Sequence, residues 1–334
     1  MSKVKVKFNK TENISKLLVE IEALRIVFET LPILPHIEEN LRREAILKSS
    51  LFSARIEGNS LTLEQVRLTT HTPQKRDIAK REIFNLLKAY RYVYMGKIPK
   101  KVSVKLICQL HKMVTEGINP EAGQLRNGPG AIFNQAGVAI YLAPPHRQVP
   151  KMLKDLVNIA NIPSYPLAVN SATVHFRFEK IHPFADGNGR VGRLLSAYIL
   201  KNGGYGFKGL VSFEEFIDKN RDLYYRSLEQ ENDITEFVEF FLESLASQAK
   251  LTLDKLKEKD RELPEDNLLP RRKEILNVIR DHPFCSFDLI RRRFLPVNPK
   301  TLHYDLNQLQ LQGFVQKVGV SRGSVYKVKS EKIG

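Results

Sequence analysis

The chain has 334 residues, and its 53 Lys and Arg against 37 Asp and Glu leave a net charge of 53 − 37 = +16. At roughly 100–200 residues per domain this length implies two or three units, and 42% hydrophobic with 27% charged residues excludes wholesale disorder and collagen-like repeats. Cys108 and Cys285 form no CxxC or Cys/His spacing, so neither a disulfide framework nor a structural metal is expected, and a reducing cytoplasm is the expected compartment.

The first residues are basic but lack a continuous apolar run, unlike a signal peptide. No stretch approaches the length of a membrane span, so no membrane partner is expected. Leu17, Ile21, Leu24 and residues 26–28 begin an amphipathic helix, and helical patterns follow over 41–57, 77–94 and 102–115. In the first of these, Ser53 and Glu57 are four apart and share a face. Gly58 suits the position just past the helix end, and Thr62 with Gln65 fits a capping box for the next helix. Residues 123–150 hold several Gly and Pro, a short apolar run at Ala139, Ile140, Tyr141 and Leu142, and the Pro144-Pro145 pair, a pattern for a loop with a small hairpin.

A helix is expected over 167–181, with Leu167, Val174, Phe178 and Ile181 on one face. Another is expected over 188–201, with Val191, Leu194, Leu195 and Tyr198 inward and Gly203-Gly204 ending it. After a helix over 234–250, the charged stretch 255–267 reads as a helix tail and linker. Helical patterns at 271–280, 286–294 and 299–310 then precede two β-like strips, 314–318 and 324–328, separated by Gly319 and Arg322-Gly323. Three helices and a hairpin is the order of a winged helix-turn-helix. The expected division is a helical region over 1–100, a core over 101–262 and a C-terminal domain over 271–334.

Between two of these helices lies His182-Pro183-Phe184-Ala185-Asp186-Gly187-Asn188-Gly189-Arg190-Val191-Gly192-Arg193. Gly187, Asn188 and Gly189 open a helix whose free N–H groups and positive dipole end suit an anion, and glycine lets that anion approach the backbone. Arg190 and Arg193 are three apart, share a face and can both reach phosphate oxygens. Asp186 is a hard carboxylate suited to magnesium, and His182 has the side chain of a general base. Phe184, packed inward, would fix the loop. Together these groups describe transfer from a nucleotide.

This stretch resembles the Fic family signature HxFx[D/E]GNGRxxR at every defining position. The resemblance extends over most of 102–243, including Gly123 to Arg126, the hairpin before Pro144-Pro145, and Asn220-Arg221 with Tyr224-Tyr225 ahead of Asn232. It implies a mainly α fold: a Fic-type helical bundle with a small β-hairpin flap, followed here by a winged helix. It further implies transfer of AMP from ATP to a Ser, Thr or Tyr hydroxyl of a target protein or of the chain itself. In that reading His182 deprotonates the hydroxyl, Asp186 binds Mg2+, and Gly187, Asn188, Gly189 and Arg190 hold the α- and β-phosphates. Arg193 meets the γ-phosphate. Tyr224, Tyr225 and Asn232 stand where the family contacts adenine and ribose, although two tyrosines on an amphipathic helix suit core packing too. Residues 139–142 resemble the flap that aligns a target segment by strand addition. Ala185 replaces the lysine of the family's phosphotransferring members, which favours AMP as the group moved.

Ser53, Glu57 and Gly58 resemble the Fic inhibitory motif [S/T]xxxE[G/N], here N-terminal to the core. That implies a brake in which Glu57 pairs with Arg193 and takes the place of the γ-phosphate, within one chain or between two copies in a homodimer. The same glutamate could orient water for the reverse, de-adenylylating reaction. His111 and His175 lie in helical patterns away from the loop and are expected to be packed.

From residue 271 onward there are thirteen Lys and Arg against five Asp and Glu, a surplus of 13 − 5 = +8. Asn298 is a good N-cap and Pro299 fits the first helical position, with Leu302, Leu306 and Leu309 inward. Lys300, His303, Tyr304 and Asn307 occupy the opposite face, Arg291, Arg292 and Arg293 end the preceding helix, and Arg322 sits at the expected wing tip. These residues suit DNA, and a basic face used for protein contact is the alternative. A nucleotide-sensing regulator that works through this domain is the second functional class, and transfer of another phosphate-containing group is the third.

Overall fold

The computed structural model describes residues 7–68, 77–133, 139–258, 265, 268–282, 285–319 and 324–329. Arg322 lies outside the described residues, as does most of the expected linker. Two compact units result, one of residues 1–60 and 77–255 and the other of 61–76 and 256–334.

In the first unit α1 (Glu12–Thr30) starts where Thr11 accepts from the Ile14 N–H, and it buries Ile14, Ile21, Leu24 and Phe28. Helix α2 (Pro35–Ile56) begins with Pro35 at a position where its missing N–H costs nothing. Helix α3 (Leu63–Leu68), which belongs to the second unit, opens with the expected capping box, Thr62 N–H donating to Gln65 Oε1 at 2.8 Å and Gln65 N–H to Thr62 Oγ1 at 3.2 Å. Asp77 caps α4 (Ile78–Met95) and Ser103 caps α5 (Val104–Thr115). Strands β1 (Ala131–Phe133) and β2 (Ala139–Leu142) pair antiparallel, Ala131 opposite Leu142 and Ile132 opposite Tyr141, with a register shift at Phe133. Then follow α6 (Val149–Asn161), α7 (Leu167–Ile181), α8 (Asn188–Asn202), α9 (Glu214–Lys219), α10 (Arg221–Glu229) and α11 (Thr235–Glu258).

Helix α8 is the centre of this unit. It packs on α7, α5, α4 and α2, while α6 covers the other side of α7 and α9 rests on α2. Every residue of α8 from Asn188 to Leu200 is buried. Each fully buried Leu or Val there contributes roughly 2 kcal/mol of apolar transfer, so the helix N-terminus rests on a rigid base. Because α2 and α4 bury their faces against α8, the expected divide at residue 100 does not separate two compact units.

The second unit contains α12 (Pro270–Asp281), β3 (Cys285–Ser286), α13 (Phe287–Arg293), α14 (Pro299–Leu311), β4 (Val315–Val318) and β5 (Val325–Val328). Its antiparallel sheet has the order β3-β5-β4. Ile275, Leu276, Ile290, Leu302, Leu306 and Leu309 form its core. Burial there pushes the Cys285 thiol up to about 12, so it is an inert core group. Among the described residues no helix is long and apolar enough to cross a membrane.

Candidate active site

The last turn of α7 passes into the loop through His182, whose backbone is left-handed at φ 47 and ψ 61. Its N–H still donates to the Phe178 carbonyl at 3.0 Å. That conformation costs a non-glycine residue about 1 kcal/mol, and the surrounding contacts hold it. Asn188 closes the loop from the other end, accepting from Phe184 N–H and donating to Phe184 O, both at 2.9 Å. Phe184 is fully buried. Its ring lies flat on His111, with centroids 3.8 Å apart.

His111 therefore belongs to the loop, contrary to the expectation that it lies elsewhere. Its Nδ1 accepts from the Gly123 N–H at 2.9 Å, leaving Nε2 to donate to the Asp186 carbonyl at 3.0 Å. Burial lowers its pKa to about 4, which keeps this neutral tautomer in place. Helical spacing puts His111 on the inward face of α5 but cannot reveal which loop it meets 75 residues later.

Gly187 caps α8 at φ 81, and a side chain there would press on Thr115. The first-turn N–H groups of α8 consequently open toward the space in front of the loop. A Cβ on Gly189 would collide with Glu57 Oε1. Asn188 differs from its expected role: its side chain is used up by the loop, and only its backbone is free to meet an anion.

The two arginines are held by carboxylates. Arg190, 3% exposed, donates to Glu82 Oε1 at 2.6 Å and to Asp186 Oδ2 at 2.8 Å. Arg193, fully buried, donates from Nε to Ser53 Oγ at 3.0 Å, and from Nη2 to Ser53 O at 2.9 Å and Glu57 Oε1 at 2.8 Å. Its Nη1 has no hydrogen-bond partner. Burial opposes the Arg193 charge, but Glu57 more than offsets that and holds the guanidinium protonated. Glu57 reaches it from the C-cap of α2, where Gly58 takes the following left-handed position at φ 95. The residues of the expected Glu57–Arg193 pair are thus in contact.

Burial lowers the pKa of His182, and Arg126 adds to this, while the Glu179 carbonyl, Glu57 and Asp186 pull the other way. The Glu179 side chain, one turn earlier on α7, is buried with Oε1 unpartnered. Burial first and the Glu57 charge second push it up to about 8. Asp186 is 58% exposed at the mouth of the loop. No group of three or more metal-ligating side chains converges among the described residues.

The expected adenine contacts divide. Tyr224 is 2% exposed, its hydroxyl paired with His175 Nε2 at 2.9 Å, so it serves the core. His175 is buried with it, as expected, and Nδ1 meets Ser196 Oγ at 2.9 Å. Tyr225 is half-buried and donates to the Ile56 carbonyl at 3.0 Å, beside the end of α2. Asn232 is exposed and accepts through its carbonyl from Lys7 N–H at 2.8 Å. In the hairpin, Leu142 is 78% exposed and Lys180 Nζ lies 4.2 Å above the Tyr141 ring. Glu82, Arg126 and Glu179 join the site without belonging to its loop motif. Of these only Arg126 carried a sequence signal, in Gly123 to Arg126.

Residues 101–200 match the Fic/DOC family. The chain is 29% identical over 225 residues to the protein adenylyltransferase Fic of Drosophila erecta, covering 64% of this chain and 42% of that protein. It is 30% identical over 210 residues to that of Nematostella vectensis, covering 59% and 46%. The chain thus spans less than half the length of these curated relatives. Among solved structures, a Fic family protein from Desulfovibrio desulfuricans G20 superposes with a TM-score of 0.67 at 24% identity over 98% of both chains. Fic-1 from C. elegans does so with 0.61 at 25% identity over 74% of each.

Proposed function

We propose, from the match of residues 101–200 to the Fic/DOC family, that this chain transfers AMP from ATP to a Ser, Thr or Tyr hydroxyl of a protein. The observation that carries the reading is the single loop from His182 to Arg193. It sets a base, an exposed carboxylate, an open helix N-terminus and two arginines on one short path. His182, kept neutral by burial, takes the proton of the target hydroxyl. The hydroxyl oxygen then bonds to the α-phosphorus, the bond from that phosphorus to the β-phosphate oxygen breaks, and pyrophosphate leaves. The α8 N–H groups and the arginines stabilise the charge that develops on the phosphates. Asp186, half-exposed with one oxygen on Arg190, is the residue that would hold a magnesium ion, a hard carboxylate being suited to it. Such an ion would neutralise phosphate charge.

In this reading the chain is held off by its own Glu57. A γ-phosphate and the Glu57 carboxylate compete for one fully buried guanidinium, so productive ATP must displace that carboxylate from it. Intact mass after incubation with ATP and magnesium tests both halves. Glu57→Gly should gain one AMP by self-modification, wild type far less, and Glu57→Gly with His182→Ala none. Equal gain in wild type and Glu57→Gly would remove the brake, and no gain in any form would remove the transferase.

We further propose that residues 271–334 form a winged helix that binds duplex DNA. The support is the outward face of α14, where Lys300, His303, Tyr304 and Asn307 are exposed at helical spacing. The one acidic residue of α14, Asp305, is 1% exposed and paired with Arg271 and Arg272 on the inner side. The outward face therefore repels no phosphate. His303 is oriented by stacking on Phe287 at 3.8 Å, and Arg291, Arg292 and Arg293 add exposed cations. Anisotropy of a labelled duplex should report binding that weakens steeply with salt. Binding insensitive to salt, or no binding at low salt, overturns this reading.

A further inference from the structure

Arg126 lies in neither the loop nor an arginine cluster, yet it is 5% exposed, and among the described residues no carboxylate pairs with it. Carbonyl oxygens take its donors instead. Nε donates to His182 O at 2.7 Å, Nη1 to Gly128 O at 2.7 Å, and Nη2 to Pro144 O, with a longer contact to Ile181 O at 3.4 Å. Its backbone N–H donates to Pro183 O at 3.0 Å. Burial lowers the Arg126 pKa, as expected of a charge desolvated without a counter-charge.

These acceptors belong to two different structures. Ile181, His182 and Pro183 form the turn that aims the catalytic imidazole. Gly128 and Pro144 flank the β1–β2 hairpin, whose base is closed by Ala143 N–H donating to Gly130 O at 2.9 Å. The guanidinium also lies against Gly130, where an added Cβ would sit 3.0 Å from Arg126 Nε. A planar fork of five donors can span such a set, and a lysine ammonium cannot.

We propose that Arg126 is a positioning residue that locks the β1–β2 hairpin in register with the His182 turn, so that a target segment added to the hairpin presents its hydroxyl to the imidazole. This rests on the functional reading above, in which His182 is the base and the hairpin is the flap. A misplacement of about 1 Å between the two costs on the order of 10²-fold in rate, so a guanidinium tie of three short bonds and one longer contact is matched to the task. Arg126 touches no substrate in this scheme, and ATP affinity should not depend on it.

The test compares Arg126→Lys with Arg126→Gln in the Glu57→Gly background. It uses the self-modification rate at varied ATP and amide hydrogen exchange across the full chain. The expected result is a fall of about 10²-fold in the maximal rate with half-saturating ATP unchanged within two-fold. Amides of 131–133 and 139–142 should exchange at least about ten-fold faster while those of α7 and α8 hold. Lys should recover little of the loss. Unchanged hairpin exchange in either variant overturns the inference, as does faster exchange throughout the unit, which would mark a purely structural arginine. A Glu57→Gly parent that transfers no AMP overturns the functional reading and this inference with it, whereas an active parent with unchanged hairpin exchange overturns the inference alone.

Discussion

The cations of α8 and those of α13 and α14 are chemically alike and are used in opposite ways. Arg190 and Arg193 are almost wholly buried, and each meets a carboxylate carried by a distant helix, Glu82 from α4 and Glu57 from α2. Arg291, Arg292, Arg293 and Lys300 are exposed, with no carboxylate partner among the described residues. In the proposed function an anion reaching the first pair exchanges with a carboxylate of the chain itself, so its binding is set by competition. An anion reaching the second group displaces only counterions, so its binding is set by salt.

The largest effect expected from breaking the first arrangement is on rate. In the Glu57→Gly background, His182→Ala should lower self-modification by about 10²–10⁴-fold, the usual worth of a general base, as read by mass gain over time. The salt response should separate the two cation groups next. If about four phosphates contact the C-terminal face, duplex affinity should fall by about 10²-fold between 50 and 200 mM salt. ATP half-saturation of the Glu57→Gly form should move far less. Parallel responses would dissolve the contrast.

Asp305 is the place where the C-terminal unit does what the core does. Asp305→Ala strands two arginines, of which Arg271 is 43% exposed and so partly relieved by water. The expected loss is about 2 kcal/mol, below the range for a fully buried pair, measured by urea unfolding. Duplex binding at low salt should hold or rise, because the freed guanidinium groups add positive charge. A loss of binding matched to no loss of stability would instead place Asp305 on the reading face.

The elements were legible where a local signal existed. The periodicity and flanking residues of 167–181 match α7, and Gly58, Thr62 and Asn298 predicted caps that are present. Helix α6 was missed because Pro150, which suits a first turn, sits beside a stretch read as loop from its other prolines and glycines. The loop motif and the segment from Ser53 to Gly58 stood in plain sequence, since each is a short run with fixed spacing. What the sequence withheld is who meets whom across the fold. Arg190 finds Glu82 at a separation of 108 residues, His111 lies under Phe184, and Arg126 gathers carbonyls from three segments. No period or spacing encodes such meetings. Tyr224 shows the converse: an apolar ring at helical spacing is equally a core residue, and here its hydroxyl is committed to His175.

Glu179 offers the finest probe of the core arrangement, because it is a second carboxylate near Arg193 and one that does not pair with it. Its pKa is raised by burial to about 8, so the native state keeps a proton that the unfolded chain releases near its ordinary value of about 4.3. Between those values the unfolded state binds fewer protons, and the stability contributed by neutral Glu179 is lost as pH rises toward 8. His175 and His111 have the opposite sign, with folded values lowered to about 3 and about 4, so their contribution grows with pH and is complete above about 6.5. The window from about pH 6.5 to 8 thus excludes both histidines, and comparison with Glu179→Gln separates Glu179 from Glu214, whose carboxyl is also pushed up by burial. Glu179→Gln should gain on wild type there by about 1.4 kcal/mol per pH unit, followed by urea unfolding at several pH values. A flat difference would mean that Glu179 is already ionised and shares Arg193 with Glu57, and the guanidinium would then answer two carboxylates. In Glu57→Gly the window should narrow, since removing the Glu57 charge lowers the pKa of Glu179.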